Sequence, residues 1–131
     1  MHSNIKAEDF LKDCQLKVWN ANYSVLQVKA IPSSFVAIIK DHKEISVVAA
    51  SGTIPAECII QEEKGWKIIS FETVLPFELV GFLAMVAKVL AEEQISIFAL
   101  SAYSTDHIMV KESMLDKALS KPKELGCVLQ S

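Results

Sequence analysis

Apolar residues at Ile5, Ala7, Phe10, Leu11 and Cys14 recur every three to four positions and predict a short amphipathic helix over 4–15. Tyr23 and Val25 alternate with Ser24, Leu26 and Val28, which predicts a strand over 23–29, broken by Pro32, Ser33 and Ser34. The apolar runs 35–39 and 45–50, joined by the polar turn Asp41-His42-Lys43-Glu44, read as a hairpin buried on at least one face. Ser51-Gly52-Thr53 closes this part, and Pro55 opens a short helix. The stretch Gln61-Glu62-Glu63-Lys64-Gly65 is the most polar in the middle of the chain and predicts a seam.

Beyond the seam, 66–75 reads as a strand stopped by Pro76. Residues 79–94 place Phe82, Leu83, Val86, Val89 and Leu90 along one stripe of a helix, with Ala84, Ala87, Lys88 and Ala91 on the other side. Strands follow at 95–101 and 107–111, joined by the turn residues Ser104-Thr105-Asp106. Residues 112–119 form a second helix, with Lys117 and Lys121 near its end and Pro122 beyond it; Val128 and Leu129 add an edge strand. Strand, helix, strand, strand, helix, strand is the split order of the ferredoxin-like motif. The first part repeats that order in degenerate form. The fold class is therefore α+β, with two βαββαβ units in tandem over 1–63 and 64–131, the first degenerate and led by a helix.

The 131 residues are 51% hydrophobic and 22% charged, enough to bury a core without metal or disulfides. Thirteen Lys and Arg against 16 Asp and Glu leave a charge of −3, and no basic run is present, so nucleic acid is not an expected partner. The longest apolar run, 79–87, is far short of the roughly 20 residues of a bilayer span, so no membrane partner is expected either. Cys14, Cys58 and Cys127 have no metal-ligand spacing and suggest no disulfide framework, which fits a cytoplasmic protein without metal or cofactor.

Three marks stand out in the second part. Pro76-Phe77-Glu78-Leu79-Val80-Gly81 sets an acidic residue three before a glycine at a helix start. Leu90-Ala91-Glu92-Glu93 leads into Ile95-Ser96-Ile97-Phe98, and Ser101-Ala102-Tyr103-Ser104-Thr105-Asp106 runs into Ile108-Met109-Val110-Lys111. With them, 74–111 resembles an ACT domain, the small regulatory module of aspartate kinases and other metabolic enzymes. The nearest likeness is to stand-alone tandem-ACT proteins, similar to aspartate-kinase regulatory regions and to cytosolic arginine sensors. The resemblance implies a non-enzymatic module that binds a small amino acid or related metabolite between ACT units and signals through a regulated protein partner. Glu78 stands where a short Asp is commoner, and His107 where an aromatic is typical.

An amino-acid zwitterion needs donors for its carboxylate and acceptors for its ammonium. The helix start at Phe77, Glu78, Leu79 and Gly81 offers free N–H groups and the positive end of the dipole. Gly81 admits close backbone approach, although it serves equally for packing of the first turn. Glu78 either caps the helix or receives an ammonium group. Asp106 shapes the turn or, as the resemblance implies, faces the ligand's ammonium or basic side chain. Ser101 and Thr105 flank it and can hydrogen-bond a carboxylate. Pseudo-symmetry adds Ser46, beside Glu44 and Ile45, from the first part. The small residues Ala84, Ala87 and Ala91 and an edge strand permit a homodimer.

Two other readings compete. Ser101, Asp106 and His107 are the residue types of a catalytic triad, but neighbours on a strand point to opposite faces, so Asp106 cannot orient the His107 ring. No phosphate loop, nucleophile elbow or His-x-x-x-His pair is present, and no catalytic residue is assigned. The alternative function is a ligand-free dimerisation or adaptor module whose vestigial pocket is filled by Phe77, Phe98 or Tyr103.

Overall fold

The structure, a computed structural model, describes residues 14–72 and 82–130. The helix expected over 4–15 and the helix start expected at Phe77, Glu78, Leu79 and Gly81 lie outside the described residues, except that Cys14 is outside any helix and Gln15 begins a strand. The described residues form eight strands and two α-helices: β1 (Gln15–Val18), β2 (Tyr23–Val28), β3 (Ala37–Lys40), β4 (Ile45–Ala50), β5 (Ile59–Phe71), α1 (Phe82–Glu92), β6 (Phe98–Ser101), β7 (Asp106–Lys111), α2 (Leu115–Glu124) and β8 (Val128–Leu129). The fold class is the mixed α+β, ferredoxin-like one.

The chain divides into two compact units, Asn20–Lys67 and the combination of Met1–Trp19 with Ile68–Ser131. The division falls inside β5, close to the polar seam, and β1 groups with the residues that follow β5 rather than with its neighbours in sequence.

Unit Asn20–Lys67 has strand order β3-β4-β2-β5, with every neighbouring pair antiparallel. That is the order a βαββαβ unit produces, yet no α-helix occurs in it: residues 29–36 and a short 3-10 turn at Ala56–Cys58 stand in the helix positions. Leu26, Val28, Val47, Ala49 and Ile54 form its core. In the hairpin turn, the Asp41 carboxylate accepts the backbone N–H of Lys43 at 2.8 Å and of Glu44 at 2.9 Å. These two bonds hold its pKa below the usual carboxylate range.

The polar stretch 61–65 is not a loop. It belongs to β5, which starts at Ile59 rather than Trp66 and runs for 13 residues. Pairing with β2 satisfies its backbone, and Ser24 Oγ donates to Glu62 Oε2 at 2.6 Å. The register shifts between Tyr23 and Val25, opposite Lys64 and Gly65, where Gly65 takes φ +86°. A bulge with a left-handed glycine lets a charged, weakly strand-forming segment continue the ladder.

In the other unit, the rest of β5, α1, β6, β7, α2 and β8 supply the βαββαβ order, with β7 paired to both β5 and β6. β1 lies antiparallel beside β5 in the place that order gives to the last strand, and β8 pairs in parallel on the far side of β1. The core gathers Leu16 from β1, Ile69 and Phe71 from β5, Val86 and Leu90 from α1, Ile108 and Val110 from β7, and Ala118 and Leu119 from α2. Burying a Leu, Ile, Val or Phe side chain contributes about 1.5–3 kcal/mol each. Of the expected stripe α1 buries Val86 and Leu90 and half-buries Leu83 and Val89, and it exposes Ala84, Lys88 and Ala91. α2 continues through Pro122 to Glu124, past its expected end at Leu119. Pro122 is buried and lines a shallow apolar hollow with Met85, Val89 and Leu125, so packing offsets the backbone hydrogen bond that proline cannot make.

Candidate ligand site

β6 and β7 form an antiparallel hairpin in which Ser101 and Asp106 are directly paired at the turn end, next to residues 102–105. Directly paired residues present their side chains to the same face. Alternation along β7 puts Asp106 on the face of Ile108 and Val110, which belong to the helix-side core, and puts His107 on the other. Ser101 is exposed and Asp106 half-buried. Among the described residues, the Asp106 carboxylate makes no hydrogen bond or ion pair. A half-buried carboxylate beside a free hydroxyl is an acceptor pair for an ammonium group.

Thr105 serves a different arrangement. Its Oγ1 lies 3.3 Å from His107 Nε2, while His107 Nδ1 lies 2.6 Å from Ser70 Oγ. Ser70 is buried in β5 and accepts the indole N–H of Trp19 at 2.7 Å, and Trp19 also meets His107 edge to face with ring centroids 5.8 Å apart. One consistent polarity runs through the set: the Trp19 indole donates to Ser70, the Ser70 hydroxyl donates to Nδ1, and Nε2–H donates to Thr105. Burial lowers the His107 pKa, against smaller raising effects of the Glu72 and Asp106 carboxylates, which suits a neutral ring in this role. The adjacency of Asp106 and His107 builds no triad, since the groups that orient the imidazole are Ser70 and Thr105.

Ser46 belongs to unit Asn20–Lys67. On β4 it pairs with Gln27 of β2 and Ile39 of β3, and its hydroxyl donates to Glu44 Oε1 at 3.2 Å. It lines an open polar groove of about 270 Å³ with Val25, Gln27, Glu44, Gln61 and Glu63. Of the residues read as a ligand site, Ser101 and Asp106 are paired, Thr105 is adjacent in sequence but meets His107, and Ser46 lines the groove of unit Asn20–Lys67. Phe77, Glu78, Leu79 and Gly81 lie outside the described residues.

The Trp19–Ser70–His107 set has one sequence signal, a lone serine inside the apolar run Ile68-Ile69-Ser70-Phe71. A polar residue in a buried strand requires a partner. Among the described residues, no cluster of three His, Cys, Asp or Glu side chains could hold a metal ion, and no helix is long and apolar enough to cross a membrane.

Known proteins place this geometry. The ACT domain family model matches residues 61–121, from the polar part of β5 into α2. In overall structure the chain is similar to a protein from Agrobacterium tumefaciens, with TM-score 0.77, 26% identity, and 89% of this chain and 92% of that one covered. It is also similar to a protein of unknown function, possibly a transport protein, from Vibrio cholerae, with TM-score 0.74, 21% identity, and coverage of 91% and 94%. The aspartate kinase of Clostridium acetobutylicum shares the fold at TM-score 0.65 and 11% identity, over 85% of this chain and 34% of the kinase. Comparison with curated proteins gives no match.

Proposed function

We propose that this chain is a non-enzymatic regulatory module that binds a small amino acid or a related metabolite through its ACT domain. The observation that carries the reading is the Asp106 carboxylate, half-buried and without a hydrogen bond or ion pair among the described residues, at the turn end of the β6–β7 hairpin, within the segment 61–121 that matches the ACT family. In support, the fold is shared with Escherichia coli aspartokinase III, whose structure holds aspartate and ADP. Asp106 accepts the ligand's ammonium group and Ser101 adds a hydroxyl. The helix start around Phe77, Glu78, Leu79 and Gly81 is proposed to receive the carboxylate. Thr105 acts through His107, holding the hairpin end in place. A ligand with higher affinity for one conformation shifts the population toward it, and a homodimer or a regulated protein partner in the cytoplasm reads that shift.

A thermal-shift panel of the twenty amino acids at millimolar concentration tests the reading. Ligand at a hundred times its dissociation constant adds about 2.7 kcal/mol, a rise of several degrees for a domain of this size. One selective hit, lost in Asp106→Asn with the fold intact, is expected. A flat panel favours the adaptor alternative.

A further inference from the structure

Cys14 and Cys127 both lie in the core of the unit that contains the ACT helices, 1% and 4% exposed. Cys14 directly precedes β1 and Cys127 directly precedes β8. β1 and β8 are parallel with Gln15 opposite Val128, and Val128 N–H donates to the Cys14 carbonyl at 2.9 Å, so the same register sets Cys14 opposite Cys127. Gln15 and Val128 are exposed while both cysteines are buried, so the two thiols point to the same side, and a side-chain hydrogen bond joins them. Neighbouring strands run about 4.8 Å apart, inside the roughly 4.4–6.8 Å Cα separation that a disulfide accepts. Cys58 belongs to the other unit, and its Sγ donates to the Ala30 carbonyl at 3.4 Å.

We infer that Cys14 and Cys127 are a redox pair that closes to an intrachain disulfide under hydroperoxide, pinning β8 to β1. This is independent of the amino-acid reading. The hydrogen bond to Cys14, then burial, raises the Cys127 pKa, so the closed fold reacts slowly and the reaction proceeds through local opening. β8 is suited to open: it has two residues, and both are exposed. The opened Cys127 loses its proton to solvent and its thiolate attacks one oxygen of hydrogen peroxide. An S–O bond forms, the O–O bond breaks, and the departing hydroxide takes up a proton to become water. Cys14 sulfur then attacks the sulfenic sulfur: the S–S bond forms, the S–O bond breaks, and a second water leaves with the Cys14 proton. Two thiols and one peroxide become one disulfide and two waters, the sulfurs oxidised and the oxygens reduced.

The test treats the folded full chain with a slight excess of hydrogen peroxide over hours, counts thiols after denaturation, and maps disulfide-linked peptides by mass. The count falls from three to one, a peptide containing Cys14 is joined to one containing Cys127, and dithiothreitol restores both thiols. Closing a loop of this length raises the unfolding midpoint by roughly 10 °C. Cys58→Ser forms the same link, whereas Cys127→Ser forms no intrachain link. The proposal is overturned if Cys14 and Cys127 stay reduced while the protein is folded, or if the links formed run through Cys58 or between copies.

Discussion

Ser70 shows how one residue can hold three others in place. Its hydroxyl sits between the Trp19 indole and the His107 ring, and the far nitrogen of that ring meets Thr105. Ser70→Ala leaves the indole N–H and Nδ1 without their partner and is expected to cost about 1–3 kcal/mol in urea unfolding. The same network predicts a pH dependence. Because folding lowers the His107 pKa, the unfolded chain binds more protons as pH falls through its value of about 6.5. Stability is full above that pH and declines as pH falls toward the folded value. The thermal midpoint should therefore drop between pH 7.5 and 5.5, and His107→Gln should remove most of that slope. A midpoint equally steep in the variant would assign the slope to other groups. The sequence made Ser70 conspicuous but not its partners, which lie 51 and 37 positions away, one just past β1 and one on β7. Such contacts follow from strand pairing, which periodicity along the chain does not contain.

At the level of elements, apolar runs were the readable signal. β4 and the β6–β7 hairpin lie where apolar residues cluster between turns, and α1 follows its stripe of Val86, Val89 and Leu90. The first half of β5 and the whole of β1 did not stand out: the former is charged, and the latter exposes Gln15 and Lys17 around a single fully buried Leu16. Both are strands because neighbours complete their ladders, a tertiary effect that overrides local propensity. Two backbone positions make this testable. Gly65 sits at φ +86° with open space where a side chain would go, so Gly65→Ala is expected to cost about 1–2 kcal/mol from backbone strain alone. Gln94, after α1, holds φ 59° in the conformation glycine favours, and Gln94→Gly should stabilise by about 0.5–1 kcal/mol. Equilibrium denaturation of the two variants should move in opposite directions; a shift in the same direction would contradict the assigned backbone geometry.

For the whole molecule, the βαββαβ order was legible and the pairing of its last strand was not. β1 takes the place beside β5, and β8 pairs outside it. That exchange brings Cys14 opposite Cys127, although their spacing in sequence suggested no pairing. Of the residues read as a candidate site, Ser101 and Asp106 are paired across the β6–β7 hairpin, Thr105 meets His107, and Ser46 lines an acidic groove of unit Asn20–Lys67. The proposed ligand place at Asp106 and the acidic groove lined by Glu44 and Glu63 make different predictions. Amide chemical shifts followed by NMR during titration with the amino acid selected by the stability panel distinguish them most directly. Saturable shifts centred on residues 101–106, absent in Asp106→Asn, are predicted; shifts confined to residues 25–27, 44–46 and 61–63, or none that saturate with any amino acid, would contradict an ACT ligand site at Asp106.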